Sequence, residues 1–402
     1  MKLTTMEFAV FSAALMMPAA GWTQQMVHQN PIMSVPDEDE EEEYVPDKPF
    51  SGELILEYSH NNDDSEDESE TDYTATLKAS YFFNENFAIV GTLLGSSVRG
   101  DGSFPNDYDF YFEELYLSAE FGRFGVFGGK FNPTFGFGFD DPEDDFFNIG
   151  YFGDYELDER LGVGVTYTFE DSYGSEHTLG TSVFRLDTSL LAKSFFRGER
   201  LATRADGGLS NTGGLDSYNI WLEGEDAFGA EDMLYNISFR SQKGGLPGEA
   251  TETGYVVSAS KLFELENGND LEVYTELVSL NNSLEDGVSF NQDSLSATAA
   301  YYFGNEWIAS LGGGVQEVRN SSDTSEIANG RNHFAAASVG KSFAENLFAE
   351  LNYEHERVDG VSFNAAGISL YYGIFELAYA RERTDGEYTN SAGISVYYSI
   401  EF

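Results

Sequence analysis

The sequence closes on GISVYYSIEF, Gly393 to Phe402, and the way this stretch alternates decides the fold. Ile394, Val396, Tyr398, Ile400 and Phe402 are apolar at every second position, whereas Gly393, Ser395, Ser399 and Glu401 are polar or small and Tyr397 is the exception. A period of two marks a strand with one apolar face. Left exposed, such a strand would template aggregation, so it must be paired, covered or embedded in an apolar medium.

Composition supports a strand-rich chain. The 402 residues include 34 Phe, 24 Tyr and 42 Gly but only 9 Pro and no Cys, which excludes a disulfide framework and a thiolate metal site. With 21 Lys+Arg against 70 Asp+Glu the net charge is -49, which argues against nucleic acid as a partner and makes cations the natural counter-species.

Two segments precede the strands. FAVFSAALMMPAAG, Phe8 to Gly21, follows Lys2 and Glu7, is too short to cross a bilayer as a helix and carries small residues at Ala19 and Gly21. Residues 1–21 therefore read as an export signal peptide. The acidic, Pro-bounded VPDEDEEEEYVPDKP, Val35 to Pro49, cannot bury apolar surface, so residues 22–49 are expected to form a disordered periplasmic linker.

From Phe50 to Phe402 the period-two pattern recurs, as in GELILEYSH (Gly52 to His60), YTATLKASYFF (Tyr73 to Phe83) and LSATAAYYF (Leu295 to Phe303). Segments of about ten residues suffice to cross a membrane as tilted strands. In LFAELNYEHE, Leu347, Ala349, Leu351 and Tyr353 form one face and Glu350, Asn352, Glu354 and Glu356 the other. Four polar side chains on one face suit a water-filled lumen, not a protein core. Connections alternate between tight ones, at Asn84, Gly122, Gly304, Ala344 and Gly373, and long ones such as Val98 to Asp109 and Asp187 to Gly214. Aromatic groups at Tyr81 to Phe83, Tyr301 to Phe303 and Tyr371 to Tyr372 come just before tight turns, as a membrane-interface girdle would. The prediction is an all-β fold, a transmembrane antiparallel β-barrel of about 18 strands, or about 16 on the alternative count, with short periplasmic turns and long extracellular loops.

Across Phe50 to Phe402 this pattern resembles a Gram-negative outer-membrane porin, general or of the siderophore or phosphate type. YYSIEF resembles the C-terminal signal by which the barrel assembly machinery recognises its clients, with Phe402, Ile400 and Tyr398 as its apolar positions. FEELYLSAEFGRFGVFGGKFNPTFGFG, Phe112 to Gly138, resembles the strand-turn-strand that leads into a porin constriction loop. The resemblance implies the bacterial outer membrane, contact with its lipid and lipopolysaccharide, a homotrimer, and passive diffusion of small hydrophilic solutes without catalytic residues or cofactor. The small residues of NHFAAASVG, Asn332 to Gly340, would suit close packing between barrels.

The connection from Phe139 to Glu159 carries Asp140, Asp141, Glu143, Asp144, Asp145, Asp154, Glu156, Asp158 and Glu159. The resemblance implies that it folds into the lumen, where clustered carboxylates favour cations over anions. The competing reading is a solvated outer loop. In LLAKSFFRGERLATR, Lys193, Arg197, Arg200 and Arg204 recur every three or four residues, the spacing of one helix face, although Gly198 weakens a helix. These bases would cross the pore from the acidic loop and set up a transverse field, pair with loop acids, bind lipopolysaccharide phosphates, or form an exposed salt-bridged helix. His28, His60, His177, His333 and His355 lack metal-ligand spacing, and no nucleophile and base are legible together. The acidic loops could hold Ca²⁺ through several oxygens without a fixed motif. Two further functions compete with passive diffusion: a channel specific for a basic or metal-chelate solute, and a structural or adhesive barrel.

Overall fold

The period-two segments form a continuous antiparallel ladder in a computed structural model that describes residues 49–63, 69–97, 108–137, 155–195, 201–285, 288–303, 306–320, 330–344, 346–358, 360–384 and 387–402. The expected signal peptide and nearly all of the acidic linker lie outside these residues. The strands are β1 (Phe50–Asp63), β2 (Ser69–Asn84), β3 (Phe87–Ser97), β4 (Tyr108–Phe121), β5 (Phe124–Phe131), β6 (Arg160–Glu170), β7 (Glu176–Leu186), β8 (Ser217–Gly224) and β9 (Met233–Gln242). They continue as β10 (Glu252–Glu264), β11 (Asp270–Glu285), β12 (Val288–Phe303), β13 (Trp307–Asn320), β14 (Gly330–Ala344), β15 (Leu347–Val358), β16 (Val361–Tyr372), β17 (Phe375–Thr384) and β18 (Glu387–Glu401). Each pairs with its sequence neighbours, and β18 returns to β1, so the 18-stranded sheet is a closed barrel.

Closure is made by the stretch that opened the analysis. β1 and β18 pair from Glu53 opposite Glu401 to Asp63 opposite Ser391. Beyond the last ladder pair, Gly52 and Phe402 exchange backbone hydrogen bonds of 3.0 Å each, and the rings of Phe50 and Phe402 stack with centroids 5.3 Å apart. Phe402, Ile400, Tyr398 and Ile394 all point outward and are exposed.

The outer face is apolar around the barrel, as Leu117, Val165, Ile220, Val257, Leu311, Leu351 and Leu377 show. Aromatic residues gather at the end carrying the tight turns predicted from sequence. Phe87 meets Phe121 at 5.7 Å, Phe124 meets Tyr167 at 4.8 Å, and Tyr301 meets Phe303 at 4.6 Å. Lys341 lies over Trp307 in the same rim, 5.0 Å from the ring centroid.

The opposite end departs from the strict alternation of short and long connections. Asp286-Gly287, Asp359-Gly360 and Asp385-Gly386 each join two paired strands by two residues. Asp-Gly is a strong two-residue hairpin sequence because glycine accepts positive φ, and Gly360 has φ +86.

The interior is filled unevenly. On the inner face of β4 to β8, Tyr116, Phe127, Phe131 and Trp221 pack as one buried cluster. Trp221 lies flat on the next strand at Gly180, where an added Cβ would come within 2.1 Å of the ring. Inward positions on β13 to β18 are mostly small or polar and less buried, so the open lumen runs along that side.

Replacing Phe402 by Ala removes the Phe50 stack and should lower the thermal midpoint of the folded barrel, followed as heat-modifiable mobility in detergent. An offset-stacked aromatic pair contributes about 1 kcal/mol beyond area burial, so Phe402→Tyr is expected to retain most of the wild-type midpoint.

Candidate permeation pathway

The longest early connection, residues 132–159, begins where the ladder fails. Pro133 has no N–H to donate, and β5 ends two residues before it at Phe131. From there the chain turns against the inner wall of β8 to β11. The Asn219 amide donates to the Thr134 carbonyl at 2.7 Å, and the Phe137 N–H donates to Glu276 Oε2 at 3.2 Å. Glu276 also accepts from the hydroxyls of Tyr155 and Ser258. Arg240 donates to the Tyr155 carbonyl and, at 2.8 Å, to Glu252 Oε1, which also accepts from Gln242 at 2.8 Å; the Arg240 guanidinium lies 4.4 Å from the centroid of Phe135.

Both described ends of this connection thus grip the same patch of wall. Phe135, Tyr155 and Leu157 from the connection pack with Phe184, Val256, Val278 and Leu280 from β7, β10 and β11 in one buried cluster. Gly136, at φ +86, comes so close that a Cβ would meet Glu276 Oε2 at 2.8 Å and Val256 at 3.1 Å. The patch combines apolar burial with a carboxylate that receives three donors, so it fixes position as well as contact.

The inward turn leaves a gap in the wall, because β4 pairs with β5 only from Phe121 as far as Leu115. Lys130 fills it. Its side chain is fully buried and its Nζ donates to the Phe112 carbonyl at 2.5 Å, to Glu159 Oε2 at 3.1 Å and to the Leu191 carbonyl at 3.3 Å, with Asp187 Oδ2 at 3.7 Å. The β7–β8 connection covers the remaining edge: Phe195 N–H donates to the Phe110 carbonyl at 2.8 Å and Phe110 N–H to Ser194 Oγ at 3.2 Å. Burial raises the Glu159 carboxyl above its ordinary pKa, and the Lys130 ammonium opposes that shift.

Of the acidic positions singled out in the sequence, Glu156, Asp158 and Glu159 are placed here, with Glu159 committed to Lys130. Asp140, Asp141, Glu143, Asp144, Asp145 and Asp154 lie outside the described residues. In the basic stretch, Leu190–Ala192 and Arg204–Asp206 are separate 3₁₀ turns, and Lys193 is extended at φ -115 and ψ 135. The described residues therefore do not form the single helix that the spacing suggested, because Ser194 and Phe195 are drawn onto the edge of β4 instead. Lys193 follows Leu191, whose carbonyl accepts from Lys130; Arg204 is exposed, and Arg197 and Arg200 lie outside the described residues.

Sequence reading missed Lys130, Arg240, Glu252 and Glu276. Lys130 had a signal, since it interrupts the outward-facing register set by Phe124 and Val126. The other three occupy inward positions in β9, β10 and β11, where polarity alone does not separate a loop anchor from a water-facing residue.

The open side of the lumen is acidic. Glu350, Glu354 and Glu356 on β15 and Glu376 and Glu382 on β17 point inward. Tyr371 donates to Glu376 at 3.0 Å and Ser391 to Glu382 at 3.3 Å. No Lys or Arg points inward from the described residues of β14 to β18. Among the described residues no group of three His, Cys, Asp or Glu side chains could hold a metal ion.

No protein-family model and no curated protein matches the sequence. Solved structures match the fold. Pseudomonas aeruginosa OccK2 (OpdF) in complex with glucuronate aligns with a TM-score of 0.58 at 13% identity, over 88% of this chain and 98% of that one. Pseudomonas aeruginosa OpdK with vanillate gives 0.58 at 12%, covering 88% and 99%. A BenF-like porin from Pseudomonas fluorescens Pf-5 gives 0.59 at 12%, covering 88% and 99%. The chain has the closed 18-strand antiparallel barrel fold of these porins.

Glu276→Ala leaves three donors without their shared acceptor, at a cost of about 1–3 kcal/mol for each one that stays buried and unsatisfied. The expected outcome is a barrel that still forms, with faster proteolysis of the 132–159 connection and noisier open-channel current. Unchanged proteolysis would show that the apolar cluster alone holds the connection.

Proposed function

We propose that the protein is an outer-membrane channel for passive diffusion of small hydrophilic solutes, with a preference for cations. The carrying observation is the group of partly exposed inward carboxylates at Glu354, Glu356 and Glu382, on the less filled side of the lumen and away from the wall that holds the described ends of the 132–159 connection. Carboxylates along a water-filled constriction bounded by low-dielectric walls lower the energy of cations and raise that of anions. Two fold neighbours carry glucuronate and vanillate, both carboxylates; the acidic wall here suits the opposite charge. The outward apolar surface and the aromatic rim support placement in a bilayer, and the fold neighbours support the outer membrane.

The unplaced acids from Asp140 to Asp154 extend this reading, because both ends of their connection are held inside the barrel. Phe402, Ile400 and Tyr398 serve in it as the assembly signal, three barrels associate, and Ca²⁺ is held by acidic loops. A channel selective for a basic solute is the second reading, favoured by the fixed rather than free-moving ends of the connection.

The reversal potential across a planar bilayer in a salt gradient tests the proposal. Joint Glu354→Gln, Glu356→Gln and Glu382→Gln replacement is expected to lower the cation-to-anion permeability ratio severalfold, as is Asn at Asp140, Asp141, Asp144 and Asp145. Neutralising Asp63, Asp64, Glu66 and Asp67 should change it little, because charges beyond about 8 Å are screened at physiological salt. Equal shifts from all three sets would assign selectivity to overall surface charge. Saturable block by one basic solute would favour the second reading, and crosslinking that traps only single barrels would remove the trimer.

A further inference from the structure

Charge is sorted completely across the wall formed by β14 to β18. Every acid of known orientation there points inward, whereas Arg331, Lys341, Arg357, Arg381 and Arg383 all point outward. His333 and His355 share that outer face, with ring centroids 5.5 Å apart. In a chain with 21 Lys+Arg and 70 Asp+Glu, an outer strip with bases and no described carboxylate requires a reason.

Depth supplies one. Lys341 belongs to the aromatic rim at the tight-turn end. Arg381 and Arg383 stand six and eight residues beyond Phe375, which belongs to the same rim. At about 3.3 Å per residue and a tilt of about 40°, this is roughly 15–20 Å of height in an apolar band about 25 Å tall. Long arginine side chains reach the far headgroup level from there by extending upward. Tyr353 and Tyr388 mark that interface, and the Arg381 and Arg383 guanidinium carbons lie 4.6 and 5.3 Å from the Tyr388 ring centroid.

The bases form a connected surface. His333 lies opposite Arg357 on β14 and β15, and His355, Asn364 and Arg383 stand opposite one another across β15, β16 and β17. Arg331, Arg357, Arg381 and Arg383 are exposed, and none takes part in an ion pair among the described residues. Arg319, on the neighbouring β13, is instead bound by Asp293 and Glu317. Arg357, Arg381 and Arg383, which have no ion pair among the described residues and no carboxylate opposite them in the ladder, stand at the headgroup level over a tyrosine and next to amide and imidazole groups, and they match a planar array of phosphate oxygens; Arg331, at the edge of the strip, stands opposite Glu317.

We propose that the outer face of β14 to β18 binds the phosphate groups of an anionic membrane glycolipid, lipopolysaccharide, through Arg357, Arg381 and Arg383. This rests on the outer-membrane placement above, and it concerns the outside of the wall whose inside selects cations.

The test is native mass spectrometry of the full chain in detergent with added purified lipopolysaccharide, a measurement independent of where the chain resides in cells. Wild-type barrel is expected to retain the glycolipid, and joint Arg357→Gln, Arg381→Gln and Arg383→Gln replacement to reduce retention at least tenfold. The corresponding Lys variant should recover most of it, and the Gln variant should keep wild-type conductance and cation preference. Dephosphorylated glycolipid should bind the wild-type chain at least tenfold more weakly, an arm that requires no variant to fold. Equal retention of both lipids, or displacement of the glycolipid by millimolar inorganic phosphate, would overturn the proposal. So would a Gln variant that loses association between barrels while retaining lipid, which would assign the surface to a second copy. Lost glycolipid binding with intact cation-selective conductance would sink this inference alone, and the reverse would sink the channel reading alone.

Discussion

Backbone N–H and C=O groups facing hydrocarbon have no water to bond, so a strand sheet in that medium must close on itself. Every other feature of this structure is arranged around that constraint. The β1–β18 seam satisfies it along the ladder, and the Gly52–Phe402 exchange continues it past the last pair. The connection that enters the lumen violates it locally, by removing the partner of β4 beyond Leu115. A buried lysine, two carboxylates and a borrowed piece of the β7–β8 connection restore what was lost. A buried ammonium is costly unless paired and hydrogen-bonded, so its presence at this gap is best explained by the carbonyls it satisfies.

The same medium sorts the charges. Acids on β14 to β18 face the water inside and bases face outward only at the rims, where long side chains reach headgroups. One wall therefore carries two fields of opposite sign, separated by a single sheet. The packed side, β4 to β11, differs in kind: its inward positions are taken by aromatic rings and by the anchored connection, and its buried charges are bound either to one another, as Arg240 is to Glu252, or to neutral donors, as Glu276 is.

Much of this was legible because alternation in a barrel wall is a direct record of which medium each face meets. The opposite faces of Leu347 to Glu356 fall as the sequence indicates, and the aromatic pairs before Asn84 and Gly304 lie at one rim. The count of 18 strands was recoverable as well. What could not be read is where an inward position meets protein instead of water. Val256, Val278 and Leu280 look like breaks in the pattern until Phe135, Tyr155 and Leu157 cover them. The Asp-Gly pairs at Asp286, Asp359 and Asp385 carried a hairpin signal that the expectation of long outer loops obscured. The basic stretch misled for a related reason: its three-to-four spacing indicates a helix, but the unpaired edge of β4 offers its described residues a better set of partners.

The uneven filling of the lumen has a mechanical consequence. Close-packed protein interiors resist compression, so the half of the tube backed by aromatic rings and the anchored connection is a thick, stiff wall. The half from β13 to β18 is one sheet thick, with mostly small or polar residues behind it, Phe334, Phe348 and Tyr371 excepted, and an apolar face in front. Lateral pressure from the bilayer will be taken up as bending of the thin half, where Gly312, Gly313 and Gly314 stand together on β13. A change in bore would then be expected from the thin acidic side and not from the close-packed one, which couples the width of the lumen to the thickness and tension of the surrounding lipid.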